Sequence, residues 1–210
     1  MTASARGLFR ATGKVAKVDL PRAENDFYPT PPEPTRALIA VEGGRLRDFP
    51  AIWEPAAGDG AMVRELELAG LSVIASDLVD RGCGANIYDF FGLSKPPFIG
   101  RAAIVTNPPF NECNWRDGKG RWIWHALDVL QVEYMALLMS WSWPGAGGHA
   151  KLWDVHPPSR VYLMRWKIDF TGQGAPPMLN GWFVWDRKWR GETVLRMLDR
   201  SDPGQGELFR

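Results

Sequence analysis

The sequence predicts an α/β fold in which a mostly parallel sheet carries helices on both faces. Three apolar segments of strand length, 51–54, 72–77 and 102–106, each lead into glycine-rich or polar residues. The segment 61–69 between the first two has helical spacing, and Gly70 is a natural stop for that helix. Strand, helix and strand in this order form a βαβ unit, and an open sheet of such units gathers its polar strand ends at one edge.

The other elements are predicted from the same kinds of signal. Prolines within 26–34 indicate an extended segment that leads into a first helix over 35–41, with Thr35 as its cap. Residues 86–91 fit either a short strand or a turn. A helix over 122–132 is followed by strands over 134–140, 160–166, 182–185 and 193–198. We expect the last three strands to complete the sheet and to include an antiparallel hairpin.

Length and composition favour one hydrophobic core, since 45% of the 210 residues are hydrophobic. We expect a flexible N-terminal arm over 1–25, a single domain over 26–200 and a tail over 201–210. No apolar run approaches the ~18 residues that span a bilayer, and the N-terminus lacks the apolar centre of a signal peptide, so a cytoplasmic protein without a membrane partner is expected. Cys83 and Cys113 give neither a disulfide framework nor zinc-ligand spacing, and no metal is predicted.

Charge and tryptophan are both unevenly distributed along the chain. The formal net charge of +1 combines +3 over 1–20, −5 over 21–150 and +3 over 151–210. Basic ends beside an acidic centre could lie near a polyanion, or could simply be solvated. The 11 Trp residues could act as stacking platforms for bases or pack in the core.

A glycine-rich turn, EPAAGDG at 54–60, follows the first strand. Glycines at a strand-to-helix turn let backbone N–H groups approach a ligand, although a plain tight turn also fits. Asp77 ends the next strand, where a carboxylate can accept hydrogen bonds from both ribose hydroxyls of a nucleoside cofactor. The spacing is not that of a P-loop, and Glu54 would repel a phosphate but suit an ammonium. Together these residues favour S-adenosylmethionine, whose amino-acid end is zwitterionic, over a dinucleotide.

The tetrapeptide NPPF at 107–110 directly follows a buried strand. Two prolines stiffen the loop, and the Asn107 amide oxygen and the Pro108 carbonyl can both accept hydrogen bonds from one –NH₂ group. Such acceptors would aim the nitrogen lone pair at an electrophile and stabilise the positive charge that develops on nitrogen. Phe110 could stack on a planar base or amide. The alternative is a proline-rich turn that only caps the strand.

The series YPTPP, EPAAGDG, SD, YDF and NPPF resembles the motifs of class I S-adenosylmethionine-dependent methyltransferases. The resemblance is to the amino-methylating branch that includes DNA N6-adenine methyltransferases of phage and prophage type. It covers residues 26–140 with the motifs in order and, more loosely, the segment 167–187. It implies a Rossmann-like, seven-stranded, mostly parallel sheet with helices on both faces and a C-terminal antiparallel hairpin.

The resemblance also implies a cofactor site for S-adenosyl-L-methionine and a catalytic loop. The cofactor residues would be Tyr28, Pro29, Thr30, Glu54, Ala56, Gly58, Gly60, Asp77, Asp89 and Phe90, and the catalytic residues Asn107, Pro108, Pro109 and Phe110. The segment 28–30 would cover the methionine end, Asp77 would hold the ribose, and Asp89 with Phe90 would contact the adenine ring. The family more often has Asp where this chain has Glu54, which lengthens the reach by one methylene.

The sequence indicates the type of reaction more firmly than it indicates the substrate. DNA is the expected partner, with Arg116, Lys119 and Arg121 near phosphates and Trp115 near an extruded base, although the same residues could form a solvated loop. RNA or protein glutamine could be the substrate instead, and a non-catalytic cofactor-binding module is a further alternative. The amine loses its proton after transfer, so no general base is required, and the three His residues are expected to be structural or exposed.

Overall fold

A computed structural model of the chain describes residues 28–114, 119–172, 174 and 178–200. Its strands are β1 Ile52–Glu54, β2 Val73–Asp77, β3 Asn86–Ile87, β4 Ala103–Thr106, β5 Tyr134–Ser140, β6 Arg160–Met164, β7 Asn180–Asp186 and β8 Val194–Leu198. They form one sheet with the order β3-β2-β1-β4-β5-β7-β6-β8. Strands β1 to β5 are all parallel to one another, and β8 is parallel to β6. Strand β7 is antiparallel to both β5 and β6, which confirms the predicted hairpin.

The described sheet has eight strands, where seven were expected. The additional strand is β3, in the segment that the sequence left as a strand or a turn. It is only two residues long and both are exposed, so no apolar pattern marks it. Its register with β2 places Ser76 opposite Asn86 and Asp77 opposite Ile87.

Helices cover both faces of the sheet, as predicted. They are α1 Pro32–Leu46, α2 Ala61–Leu68, α3 Phe110–Cys113, α4 Arg121–Trp124 and α5 Ala150–Val155. Leu38 of α1 and Leu66 of α2 belong to the core on one face, whereas Trp122 of α4 and Leu152 of α5 belong to the core on the other. Successive residues of β4 alternate between these two cores, because side chains along a strand point to opposite faces.

Helix α1 begins at Pro32, three residues before the predicted cap at Thr35, and it extends to Leu46 rather than to residue 41. The expectation that prolines exclude regular structure here was wrong for the first turn. The first N–H groups of a helix have no partner within it, so a proline there loses no hydrogen bond. Pro31 is the N-cap, and Thr35 lies buried inside the helix.

Two further elements differ from the prediction. The helix predicted over 122–132 consists of α4 and a π-helical turn from His125 to Val129. Helix α5 and two short 3₁₀ turns fill the region after Trp143, where the sequence predicted no element. Within the described residues no helix is long and apolar enough to cross a membrane.

A buried ionic network fastens α1 to the hairpin at the amino ends of β5 and β6. Glu42 accepts hydrogen bonds from Arg160 Nε at 2.6 Å and from the hydroxyl of Tyr162 at 2.5 Å. Asp186 accepts from Arg160 Nη2 at 3.2 Å and from Arg45 Nη2 at 3.0 Å. Because each buried charge has an opposite partner, the network fixes α1 at the end of the sheet away from the polar strand ends.

Candidate active site

A cavity of about 490 Å³ lies at the carboxyl ends of β1, β2 and β4. Twelve of the residues that the sequence singled out line it. They are Tyr28, Pro29, Thr30, Glu54, Ala56, Gly58, Asp77, Asp89, Phe90, Asn107, Pro109 and Arg121. The volume lies within the roughly 300 to 1,000 Å³ typical of small-molecule sites.

The turn between β1 and α2 depends on two glycines with positive φ. Gly58 has φ of 57° and Gly60 has φ of 79°, a region that side chains disfavour. A Cβ on Gly60 would also lie 3.0 Å from Cβ of Cys83. Gly60 is the N-cap of α2 and does not line the cavity, so its role is to shape the turn that places Gly58 in the wall.

Glu54 ends β1 with its side chain only 1% exposed. Its Oε1 accepts a hydrogen bond from the backbone N–H of Ala56 at 3.0 Å, whereas Oε2 is buried without a partner in the described part of the chain. Burial raises the pKa of this carboxyl to about 8, against the lowering effects of the Thr106 side chain and of the Ala56 hydrogen bond. The site therefore contains an acceptor that a cationic group would stabilise in its ionised form.

Asp77 ends β2 and shapes the cavity through its carboxylate. Oδ2 accepts from the N–H of Gly58 at 2.7 Å, and Oδ1 accepts from the N–H of Val79 at 3.0 Å. A carboxylate has about four acceptor positions, so two remain for a ligand after these bonds. The same side chain thus holds the glycine turn and can still accept hydrogen bonds from hydroxyl groups.

An aromatic wall closes one side of the cavity. Asp89 caps a 3₁₀ turn from Phe90 to Gly92 by accepting from the N–H of Phe91 at 3.0 Å. Phe90 stacks on Trp122 with ring centroids 4.3 Å apart and planes 4° apart. Because Trp122 supports this ring from α4, the wall has a fixed orientation against which a planar group can pack.

The NPPF loop follows β4 and contributes Asn107 and Pro109 to the cavity. Asn107 Nδ2 donates to Thr30 Oγ1 at 3.1 Å, and Asn107 Oδ1 is buried with no partner among the described residues. Pro108 is buried and Phe110 begins α3, and neither lines the cavity. The roles expected for Pro108 and Phe110 therefore stay predictions.

The structure describes two of the four residues expected to contact the substrate, Lys119 and Arg121. Arg121 lines the cavity, forms an ion pair with Glu112, and lies with its guanidinium carbon 4.2 Å from the ring centroid of Phe91. Lys119 is exposed and outside the lining. Trp115 and Arg116 lie outside the described residues, so their predicted contacts stay predictions.

Several lining residues were given no individual role from the sequence, although Ala57, Asp59 and Tyr88 belong to motifs that it contains. They include Ala57, Asp59, Ala61, Met62, Leu78, Val79, Arg81, Tyr88, Phe91, Asn111, Glu112 and Trp122. Leu78 and Val79 directly follow the end of β2, so their position along the chain was a usable signal. Met62 and Trp122 carry no such signal, because they reach the cavity from helices.

His125, His149 and His156 are not part of the lining, and no group of His, Cys, Asp or Glu suited to a metal occurs in the described residues.

The strand order, the antiparallel β7 and the cavity over the glycine turn define a Rossmann-like domain with its pocket at the carboxyl ends of the parallel strands. A solved structure from Pyrococcus horikoshii, of a protein proposed to be an RNA methyltransferase, matches 86% of this chain and 97% of its own, with a TM-score of 0.57 and 14% identity.

A second solved structure, of a proposed class I S-adenosylmethionine-dependent methyltransferase from Listeria monocytogenes, matches 80% of this chain with a TM-score of 0.51 and 12% identity. This chain spans 63% of that structure's length. No protein-family model matches the chain, and no curated protein matches its sequence. At these identities the similarity establishes the fold.

Proposed function

We propose that the protein transfers a methyl group from S-adenosylmethionine to an exocyclic amino nitrogen, and we place N6 of adenine in DNA first among the substrates. The observation that carries this proposal is the unpartnered Oδ1 of Asn107 in the cavity that also contains the unpartnered Oε2 of Glu54. Neither atom has a hydrogen-bond partner among the described residues, although the Thr106 side chain lies near enough to Glu54 to lower its pKa. Each atom suits a nitrogen that bears hydrogen and positive charge.

The cofactor site is proposed to follow the order of the strand ends. The ammonium group of the cofactor pairs with Glu54, and the ribose hydroxyls donate to the free positions of Asp77. The adenine ring packs on the wall near Asp89 and Phe90. The cavity volume and the buried acceptor at Glu54 fit this ligand. When bound, the cofactor supplies an electrophilic methyl group.

The chain's own contribution to transfer is the orientation of the amine. Asn107 Oδ1 accepts one N–H, which directs the nitrogen lone pair toward the methyl donor and stabilises the positive charge that develops on nitrogen. The carbonyl of Pro108 is proposed as the second acceptor on the basis of the NPPF motif, and Pro108 itself lies buried beside the lining residues Asn107 and Pro109. The methylated nitrogen then loses a proton to water, so the absence of His from the described lining is compatible with this scheme.

DNA is placed first because the NPPF loop and the preceding motifs resemble the DNA N6-adenine methyltransferases. Arg121 at the cavity rim offers one cation for a phosphate, once its pairing with Glu112 is exchanged. RNA is the second candidate, since the Pyrococcus horikoshii structure is of a proposed RNA methyltransferase. Protein glutamine and a non-catalytic cofactor-binding module are further outcomes of the test.

The test is transfer of a labelled methyl group from S-adenosylmethionine to mixed-sequence DNA, with RNA and a cell protein extract in parallel. Digestion to nucleosides and mass analysis identify the product. N6-methyladenine in the DNA supports the first substrate, and label only in RNA or protein replaces it while keeping the enzyme class. Cofactor binding without label in any sample would favour the non-catalytic module.

A further inference from the structure

We infer that Thr30 is a positioning residue that holds the Asn107 amide with its carbonyl oxygen presented to the substrate amine. This inference rests on the proposed function. The sequence resemblance assigns the segment 28–30 to the methionine end of the cofactor. In the structure, however, the hydroxyl of Thr30 contacts the catalytic loop, 77 positions further along the chain.

The contact is specific to one end of the Asn107 side chain. Asn107 Nδ2 donates to Thr30 Oγ1 at 3.1 Å, and Oδ1 is left buried without a partner in the described residues. An Asn amide that rotates by 180° exchanges its donor and acceptor ends, and it would then point N–H groups at the N–H groups of a substrate amine. A Thr hydroxyl can pair with either end of an amide, so it is the observed pairing with Nδ2 that leaves the carbonyl oxygen free to accept a hydrogen bond from the amine.

Thr30 is itself firmly placed. It is 6% exposed, and the proline that follows restricts its backbone to extended conformations. Helix α1 begins two residues later, and the carbonyl of Pro34 in its first turn accepts a hydrogen bond from the Trp182 indole at 2.9 Å. Trp182 lies fully buried in β7, so the position of Thr30 is set by the sheet.

The consequence for catalysis is a loss of rate when the hydroxyl is removed. Thr30→Val keeps the branched shape but removes the acceptor for Asn107 Nδ2. We expect kcat to fall about 10- to 100-fold, as for a catalytic group displaced by about 1 Å. The dissociation constant of S-adenosylmethionine should change much less than kcat, because the hydroxyl contact in the structure is to Asn107 of the catalytic loop. Thr30→Ser keeps the hydroxyl and should restore kcat to within a few-fold.

A double-mutant cycle separates positioning from a structural role. Asn107→Ala removes the amide that Thr30 holds, so Thr30→Val should have no further effect on kcat in that background. Additive losses in the double variant would overturn the inference, as would an unchanged kcat for Thr30→Val alone. A fall in cofactor affinity equal to the fall in kcat would instead assign Thr30 to the cofactor.

A readout without turnover keeps this inference distinguishable from the proposed function. If the wild-type protein methylates neither DNA, RNA nor protein, the proposed function fails, and the contact is judged by NMR of side-chain amides in ¹⁵N-Asn-labelled protein. Thr30→Val should shift the Asn107 amide protons upfield, because their hydrogen bond is lost, and Thr30→Ser should shift them less. Asn107 resonances that do not respond to Thr30→Val would overturn the contact itself.

Discussion

Replacement of Glu54 by Gln should stabilise the free protein and weaken cofactor binding. The carboxyl is 1% exposed and its pKa is raised by burial from 4.5 to about 8. Gln keeps the acceptor for the N–H of Ala56 but carries no proton equilibrium. The substitution therefore removes the cost of burying an ionisable group, and with it the charge proposed to pair with the cofactor's ammonium.

The sign of the stability effect follows from the raised pKa. Between pH 4.5 and 8 the unfolded chain ionises at Glu54 while the folded chain keeps its proton, so the free energy of unfolding falls as pH rises through this window. At pH 7 the difference amounts to about 3 kcal/mol, or roughly 6 to 12 °C in Tm. Glu54→Gln should remove this loss, so that its advantage grows from near zero at pH 4.5 to a maximum near pH 8.

Glu54→Gln should weaken cofactor binding even though it stabilises the free protein. A carboxyl with a pKa of about 8 is mostly protonated at pH 7, so pairing with a cation must release close to one proton per bound cofactor. Calorimetry in two buffers of different ionisation enthalpy counts that proton, and Glu54→Gln should abolish the release and weaken affinity. Glu67→Gln, on the exposed side of α2, is the matched control and should change neither property. Equal Tm for wild type and Glu54→Gln across pH 5 to 8, with no proton release, would refute the reasoning.

Three other substitutions test separate parts of the structure. Asn107→Ala should reduce the rate of methyl transfer about 10²- to 10³-fold while cofactor affinity stays nearly unchanged, since the lost acceptor acts in the transition state. Kinetics measures the rate and calorimetry measures the affinity, and an equal loss of rate and affinity would contradict the catalytic role of Asn107. Gly60→Ala should lower the free energy of unfolding, measured in urea, more than Gly70→Ala does. Both glycines have positive φ, but only at Gly60 would the added Cβ also lie 3.0 Å from another side chain, that of Cys83. Equal losses of about 1 to 2 kcal/mol would mean that the strain of positive φ alone accounts for the effect. Arg160→Met should cost roughly 3 to 5 kcal/mol because it leaves the buried Glu42 carboxylate without an opposite charge, while Asp186 keeps Arg45. Arg165→Met, in an exposed pair, should cost less than about 1 kcal/mol, and similar thermal shifts for the two variants would contradict the burial of the network.

Elements with a strong apolar pattern were predictable from the sequence, and elements without one were not. Strand β5 was predicted at its observed bounds because six of its seven residues are buried. Strand β3 has two exposed residues, and α5 has one buried residue in six, so neither carries a period that sequence reasoning can detect. The first turn of α1 was missed because its prolines were interpreted as helix breakers.

In the candidate site, too, some features could be predicted from the sequence and others could not. Residues at the ends of strands, such as Glu54, Asp77 and Asn107, could be assigned because a parallel sheet gathers its carboxyl ends at one edge. The contact between Thr30 and Asn107 could not be predicted, because it depends on how α1 packs against the sheet. The ion pair of Arg121 with Glu112 was equally hidden, since it forms between residues of two short helices, α4 and α3.

The two buried acceptors of the cavity are related through the sheet. Strands β1 and β4 are parallel neighbours, with Ile52 opposite Ala103 and Trp53 opposite Ile104. Glu54 ends β1 and Asn107 follows β4, so the same register that pairs these strands brings Oε2 and Oδ1 to one edge. Each is costly to bury alone, and each is stabilised by a group that carries positive charge on nitrogen. If the proposed function holds, the cofactor's ammonium donates to Glu54 Oε2 when it binds. The substrate amine donates to Asn107 Oδ1, and this hydrogen bond becomes strongest as positive charge develops on nitrogen. An acceptor held by the sheet and by Thr30 needs no reorganisation at that moment, which is the condition under which electrostatic stabilisation of a transition state is largest.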